Sequence, residues 1–85
     1  MSDNAMSDNN MAEVCEKLLE EMIESQQARL LAHARRIIPY ATYDDVLQPN
    51  DFPELEGNAD FRYEEGYLAA LLGVQIAMRA KIRQQ

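Results

Sequence analysis

The stretch from Gly66 to Met78 reads GYLAALLGVQIAM, and Gln75 is its one polar member. At about 100° per residue, Gly66, Ala70, Gly73, Ala77 and Ala80 fall in one narrow arc of a helix, a seam with almost no side chain. Tyr67, Leu71, Val74, Met78 and Ile82 take the adjoining arc, and Leu68, Leu72 and Ile76 carry the apolar surface round the far side. A helix that is apolar nearly all round is buried on more than one face. A membrane span needs roughly 20 apolar residues, whereas this run is closed off by Glu64 and Glu65 before it and by Arg79, Lys81 and Arg83 after it. The reading is a helix buried in protein. Glycine inside a helix costs about 1 kcal/mol relative to alanine. Two glycines on one seam therefore point to close approach of another backbone, and the five seam residues are the expected oligomer interface.

The rest of the chain is too small to cover such a helix. A domain of 85 residues buries only about 60% of its unfolded surface when alone. The single cysteine, Cys15, rules out an intrachain disulfide, and no Cys/His cluster offers a structural zinc site. Self-association is the support that remains. A composition 47% apolar and 27% charged, with three glycines and three prolines, describes a helical globular chain. Its net charge of −7 argues against a nonspecific hold on phosphate backbones. With one free thiol and no apolar leader, a cytoplasmic protein is expected.

Upstream, residues 1–9 of the near-repeat MSDNAMSDNN cannot bury anything and are expected to be a mobile tail, native or a start-site artefact with Met6 as the true start. From about residue 10 to 38 the pattern is an amphipathic helix. Met11, Cys15, Leu18, Leu19, Met22, Ile23, Leu30, Ala34 and Ile37 line one side, interrupted by Gln26 and His33. In that stripe Cys15 reads as a buried structural thiol. Pro39 ends the helix by biasing Ile38 away from helical geometry.

Residues 39–60 form a connector longer than the ~2 to 8 residues usual between helices. Thr42 with Asp45 matches a capping box that opens a short turn, which Pro49 ends. Asn50 or Asp51 is expected to start a second turn through Leu55, ended by Gly57, with Val46, Leu47, Phe52 and Leu55 as anchors. The connector thus reads as an ordered acidic cap. A final helix over about 61–84 is expected to take Asp60 as its N-cap. Folding it back on the first helix brings Arg35 and Arg36 towards Glu64 and Glu65, and Glu13, Glu16 and Glu20 towards Arg79, Lys81 and Arg83. Opposite charges then meet at both ends. Exposed pairs of this kind contribute only ~0 to 1 kcal/mol, so they choose the orientation without supplying much stability.

His33 is the only histidine. In an antiparallel hairpin it comes to the height of Glu64 or Glu65, and an acid–imidazole pair is the smallest unit that can transfer protons. A partly buried histidine bonded to a carboxylate is the plainer reading. Gln26 and Gln75 interrupt apolar surfaces at matching heights and are a candidate register pair. The acidic run from Asp44 to Glu65 lacks the ligand spacing of a calcium loop, so no metal is expected, and no motif calls for a cofactor.

The expected fold is all-α: a long antiparallel helical hairpin over residues 10–85 with a structured connector, dimerising into a four-helix bundle. The expected function is that of a small non-enzymatic interaction or oligomerisation module. Its first partner is a second copy of itself, and Arg35, Arg36 and the acidic connector are left to face another protein. The competing reading is a ligand-binding or enzymatic bundle using His33 with Glu64 or Glu65. A weaker one is nucleic-acid association through Arg29, Arg35 and Arg36, against the overall charge. No membrane partner is expected.

Overall fold

Pro39 has no N–H to give, so the first helix must stop just before it, and this break decides where the chain turns back. The computed structural model describes residues 8 to 84, with side chains from Asn10 onward. Helix α1 runs Asp8–Ile37 and carries Arg35 and Arg36 in its last turn, where cations complement the helix dipole. Asp8 and Asn9, assigned from sequence to the tail, belong to this helix. The remainder of the expected tail lies outside the described residues.

The turn out of α1 is held by its own polar groups. Ile38 N–H donates back to Ala34 O at 2.7 Å and Ala41 N–H to Ile38 O at 2.9 Å. The Arg35 Nε donates to Ala41 O at 2.8 Å, which fastens the emerging strand of chain to the helix it has just left. Helix α2, Tyr43–Leu47, opens on the expected capping box, in which Thr42 and Asp45 each satisfy the other's backbone N–H. A 3₁₀ turn at Pro49–Asp51 and helix α3, Pro53–Glu56, complete the connector. Proline stands at the first position of both turns, where its missing N–H costs nothing. The residue that precedes α3 is Phe52, with no side-chain cap, so neither Asn50 nor Asp51 opens it.

Helix α4 runs Ala59–Arg83. Its N-cap is Asn58, not the expected Asp60: the Asn58 Oδ1 accepts from Phe61 N–H at 2.8 Å. Asp60 sits inside the first turn, near the positive end of the dipole. The two long helices lie antiparallel, as the Gln26–Glu64 and Glu16–Arg79 contacts at opposite ends show. Among the described residues there is no strand, and the architecture is an all-α hairpin with an ordered head.

The core is concentrated in that head. Leu30, Ala34 and Ile38 meet Ala41, Val46 and Leu55 of the connector and Phe61 of α4, all buried, while Leu19, Ile23 and Leu68 extend the contact along the hairpin. Leu47, expected as an anchor, is 60% exposed, because the short α2 can turn only one side inward and Val46 takes it. On α1 the covered edge of the stripe is Leu19, Ile23, Gln26, Leu30 and Ala34, with Ile37 partly covered. Met11, Leu18 and Met22 are exposed, and so is Cys15, contrary to its reading as a buried thiol. The physical reason is width: one facing helix covers about a third of a helix's circumference, and the apolar stripe of α1 is broader than that. The molecule measures 57 × 21 × 19 Å. With side chains a helix is about 10–12 Å across, so the hairpin is two helices thick, and among the described residues nothing lies over the outer side of α4.

Candidate functional site

Two features hold the chemistry of this molecule: a polar clip between the helices, and the open face of α4.

The clip is built on Gln26, which is 4% exposed. A buried amide must find partners, and its Nε2 donates twice to one residue, to the Glu64 backbone carbonyl at 3.0 Å and to Glu64 Oε1 at 2.8 Å. The second carboxylate oxygen lies 3.5 Å from the Arg29 Nη2. The Gln26 hydrogen bond holds the Glu64 carboxyl below the usual carboxylate range, helped by Arg29 and by the nearby His33 and opposed by partial desolvation. The partner of Gln26 is therefore Glu64. Gln75 stands eleven residues further along α4, about 16 Å away at a helix's rise per residue, so the hairpin register does not join the two glutamines within the chain.

His33 is half-buried, with its ring 6.4 Å from that of Phe61 and tilted 48° to it. Together with Arg29, Arg36, Asp60, Tyr63 and Glu64 it lines a shallow groove of ≈ 340 Å³. His33 and Glu64 thus border one groove, but the Glu64 oxygens are taken by Gln26 and Arg29 and not by the imidazole. Glu65 is not part of it: its carboxylate pairs with Arg62 at 3.4 Å, one turn away on the outer surface. Arg35 is occupied by the connector carbonyl of Ala41, while Arg36 remains exposed on the groove's rim. At the other end of the hairpin, Arg79 takes both Glu16, at 3.4 Å, and Glu20, at 3.8 Å. Chemically the groove is modest. Glu64 is held ionised by its neighbours, which makes it a weak base, and both of its oxygens already have partners. Among the described residues no three His, Cys, Asp or Glu side chains come together as a metal site.

The seam points outward. Gly66, Ala70, Gly73 and Ala77 are exposed and Ala80 is half-buried. Among the described residues, a Cβ added at Gly66 or Gly73 would meet nothing within 4 Å. Flanking the seam, Tyr63 and Ile76 are each 70% exposed, and Tyr67, Leu72 and Val74 are also open to solvent. This face is continuous with a second groove, of ≈ 570 Å³, whose apolar walls are Leu18 and Met22 of α1 and Tyr63 and Tyr67 of α4. Sequence reasoning missed Arg29 as the partner of Glu64 and Tyr63 as part of the open face. The signal for Tyr63 was present, since Tyr63, Tyr67, Ala70, Val74 and Ala77 repeat at steps of four, three, four and three.

No protein-family model, no curated protein and no solved structure matches the chain. No described helix is long and apolar enough to cross a membrane.

Proposed function

We propose that the chain is a small non-enzymatic interaction module whose open α4 face receives a second copy, two hairpins making a four-helix bundle. The observation that carries this reading is the empty space over Gly66 and Gly73, set between solvent-exposed Tyr63, Val74 and Ile76. Apolar patches of this kind on a soluble chain mark contact sites. The glycines gain nothing inside the monomer, where alanine would fit and favour the helix, so a neighbour outside the chain is the reason for them. The N-terminal half of α1 adds Met11, Val14, Leu18 and Met22 beside the same groove. The two helices of one hairpin thereby offer a joint apolar surface of the sort that bundles pair through.

A catalytic use of His33 with Glu64 is disfavoured because Gln26 and Arg29 already engage the carboxylate. In the dimer, Arg36 and the acidic connector residues Asp44, Asp51, Glu54 and Glu56 stay outward and are the surfaces left for a further protein. A cytoplasmic setting belongs to the same proposal. Sedimentation across a dilution series tests it: the expected species is a dimer that dissociates on dilution with loss of helicity, and a stably folded monomer at micromolar concentration overturns it. Capture of a protein partner that is abolished by Arg36→Ala and unaffected by His33→Ala supports the outward surface. Loss of a bound small molecule through His33→Ala instead favours a pocket.

A further inference from the structure

Resting on that reading, the geometry points to one arrangement of the second copy: its α4 runs antiparallel to the first, with the two-fold axis passing at Gly73. The occupant of the open face is then the same face of another chain, in a defined register.

The seam is balanced about Gly73. Gly66 and Ala80 lie seven residues to either side, and Ala70 and Ala77 lie three and four. An antiparallel crossing at Gly73 sets Gly66 against the partner's Ala80 and Ala70 against the partner's Ala77. Small residues face small residues along the whole contact, and the backbones can approach closely. Ile76, the most exposed aliphatic side chain of the helix, comes over the partner's Ala69, which is exposed and too small to fill the space itself. A parallel pairing would also match small with small, so the seam alone does not choose between the two.

The charges choose. Glu65 and Arg83 are eighteen residues apart, about five full turns, and so stand on the same flank of the seam. Tyr63 and Lys81 are also eighteen apart and occupy the other flank. The midpoints of these two pairs are positions 74 and 72, on either side of Gly73. In an antiparallel helix pair like flank meets like flank. Glu65, which already pairs with Arg62 of its own helix, therefore also faces the partner's Arg83, the Lys81 stem lies along the partner's Tyr63, and symmetry makes each contact twice. Parallel pairing would instead bring Lys81 and Arg83 of both chains together at one end and align the helix dipoles unfavourably. Among the described residues Lys81 and Arg83 have no acidic partner in their own chain, in contrast to Arg79.

Disulfide trapping and charge exchange test the register. In a Cys15→Ser background, a mixture of Gly66→Cys and Ala80→Cys chains should oxidise to mixed disulfide dimers. Neither chain alone should do so, because the dyad separates identical positions by about 21 Å, fourteen residues of helix. Glu65→Arg and Arg83→Glu should each weaken dimerisation by about 10-fold, since two contacts turn from attraction to repulsion, and their combination in one chain should restore it. Self-linking of Gly66→Cys chains, or a dimer that never traps at these positions, overturns the antiparallel register while leaving the dimer standing. A parent protein that sediments as a folded monomer overturns the dimer itself.

Discussion

Replacing Gly66 and Gly73 together by alanine separates the reason for those glycines from every property of the isolated hairpin. Both lie in the interior of α4 with ordinary helical backbone angles, since no glycine has a positive φ, and an added Cβ meets nothing within 4 Å. Within one chain the change should therefore be purely favourable, at about 1 kcal/mol per site. The two together give about 2 kcal/mol. In a domain of this size each kcal/mol raises Tm by about 4–8 °C, so the expected gain is roughly 8–16 °C. In a dimer packed on this seam, four methyl groups enter the contact, and overpacking of a close interface costs about 1–3 kcal/mol. The assay is circular-dichroism melting well below and well above the dissociation constant, with sedimentation equilibrium alongside. Chains separated by dilution should keep more of their residual helicity, and melt higher, than separated parent chains, whereas concentrated protein should show a smaller gain or a loss, together with weaker association. A variant that melts no higher when dilute refutes the claim that the glycines do nothing inside the chain. A variant equally stabilised at every concentration, with unchanged association, refutes the seam as a contact.

Phe61→Ala removes the largest fully buried side chain of the head and should cost about 3–5 kcal/mol in urea unfolding; a loss under about 1 kcal/mol would contradict a core centred there. Asn58→Ala should cost about 1 kcal/mol and Asp60→Ala distinctly less, because Asn58 makes the cap hydrogen bond and Asp60 contributes only through the dipole; the reverse order in thermal melts would return the cap to Asp60. Glu64 has its folded pKa lowered below 4.5, so its pairing stabilises fully above that value and is lost as the pH falls through the lower folded value. The Tm difference between the parent and Glu64→Gln should accordingly be constant from neutral pH down to about pH 5 and shrink below it; a difference that stays constant into acid would remove the carboxylate from the clip.

Much of the hairpin was legible because its signals are local. Pro39 ends α1 by covalent geometry, Thr42 and Asp45 close a capping box three residues apart, and helical period marks both long elements. What could not be read depends on register. Gln26 and Gln75 look equivalent as interruptions of apolar surface, and only the relative sliding of α1 and α4 sets Gln26 beside Glu64. The same sliding gives Glu64 to Arg29 in place of Arg35 or Arg36, and leaves Arg35 free to bind the Ala41 carbonyl. Cys15 and Leu47 were misplaced for a related reason. Period shows that a residue is on an apolar side, but the width of the element packed against it decides whether that residue is covered.

The two ends of the hairpin are held by different means, and this bears on what the molecule is for. At the head, residues from four segments close around Phe61, Leu55 and Leu30, and the polar turns there are satisfied by Thr42, Asp45, Asn58 and Arg35. That end is built to fold from its own chain. At the other end α1 and α4 continue as two helices joined by Leu19, Leu68 and the exposed Arg79 bridges to Glu16 and Glu20, which contribute little. Isolated helices are marginal in water, and most helical stability comes from packing an amphipathic face. Yet it is the shaft, from Tyr63 through Ile76 on one helix and from Met11 to Met22 on the other, that carries most of the exposed apolar residues, with Tyr40 and Leu47 the exceptions in the head. A chain that needed only to be a stable monomer would gain from polar residues at those positions and from alanine at Gly66 and Gly73. Keeping them apolar and bare on the less supported half is consistent with a shaft completed by a second chain, and the self-sufficient head then fixes the angle at which the two helices present that surface.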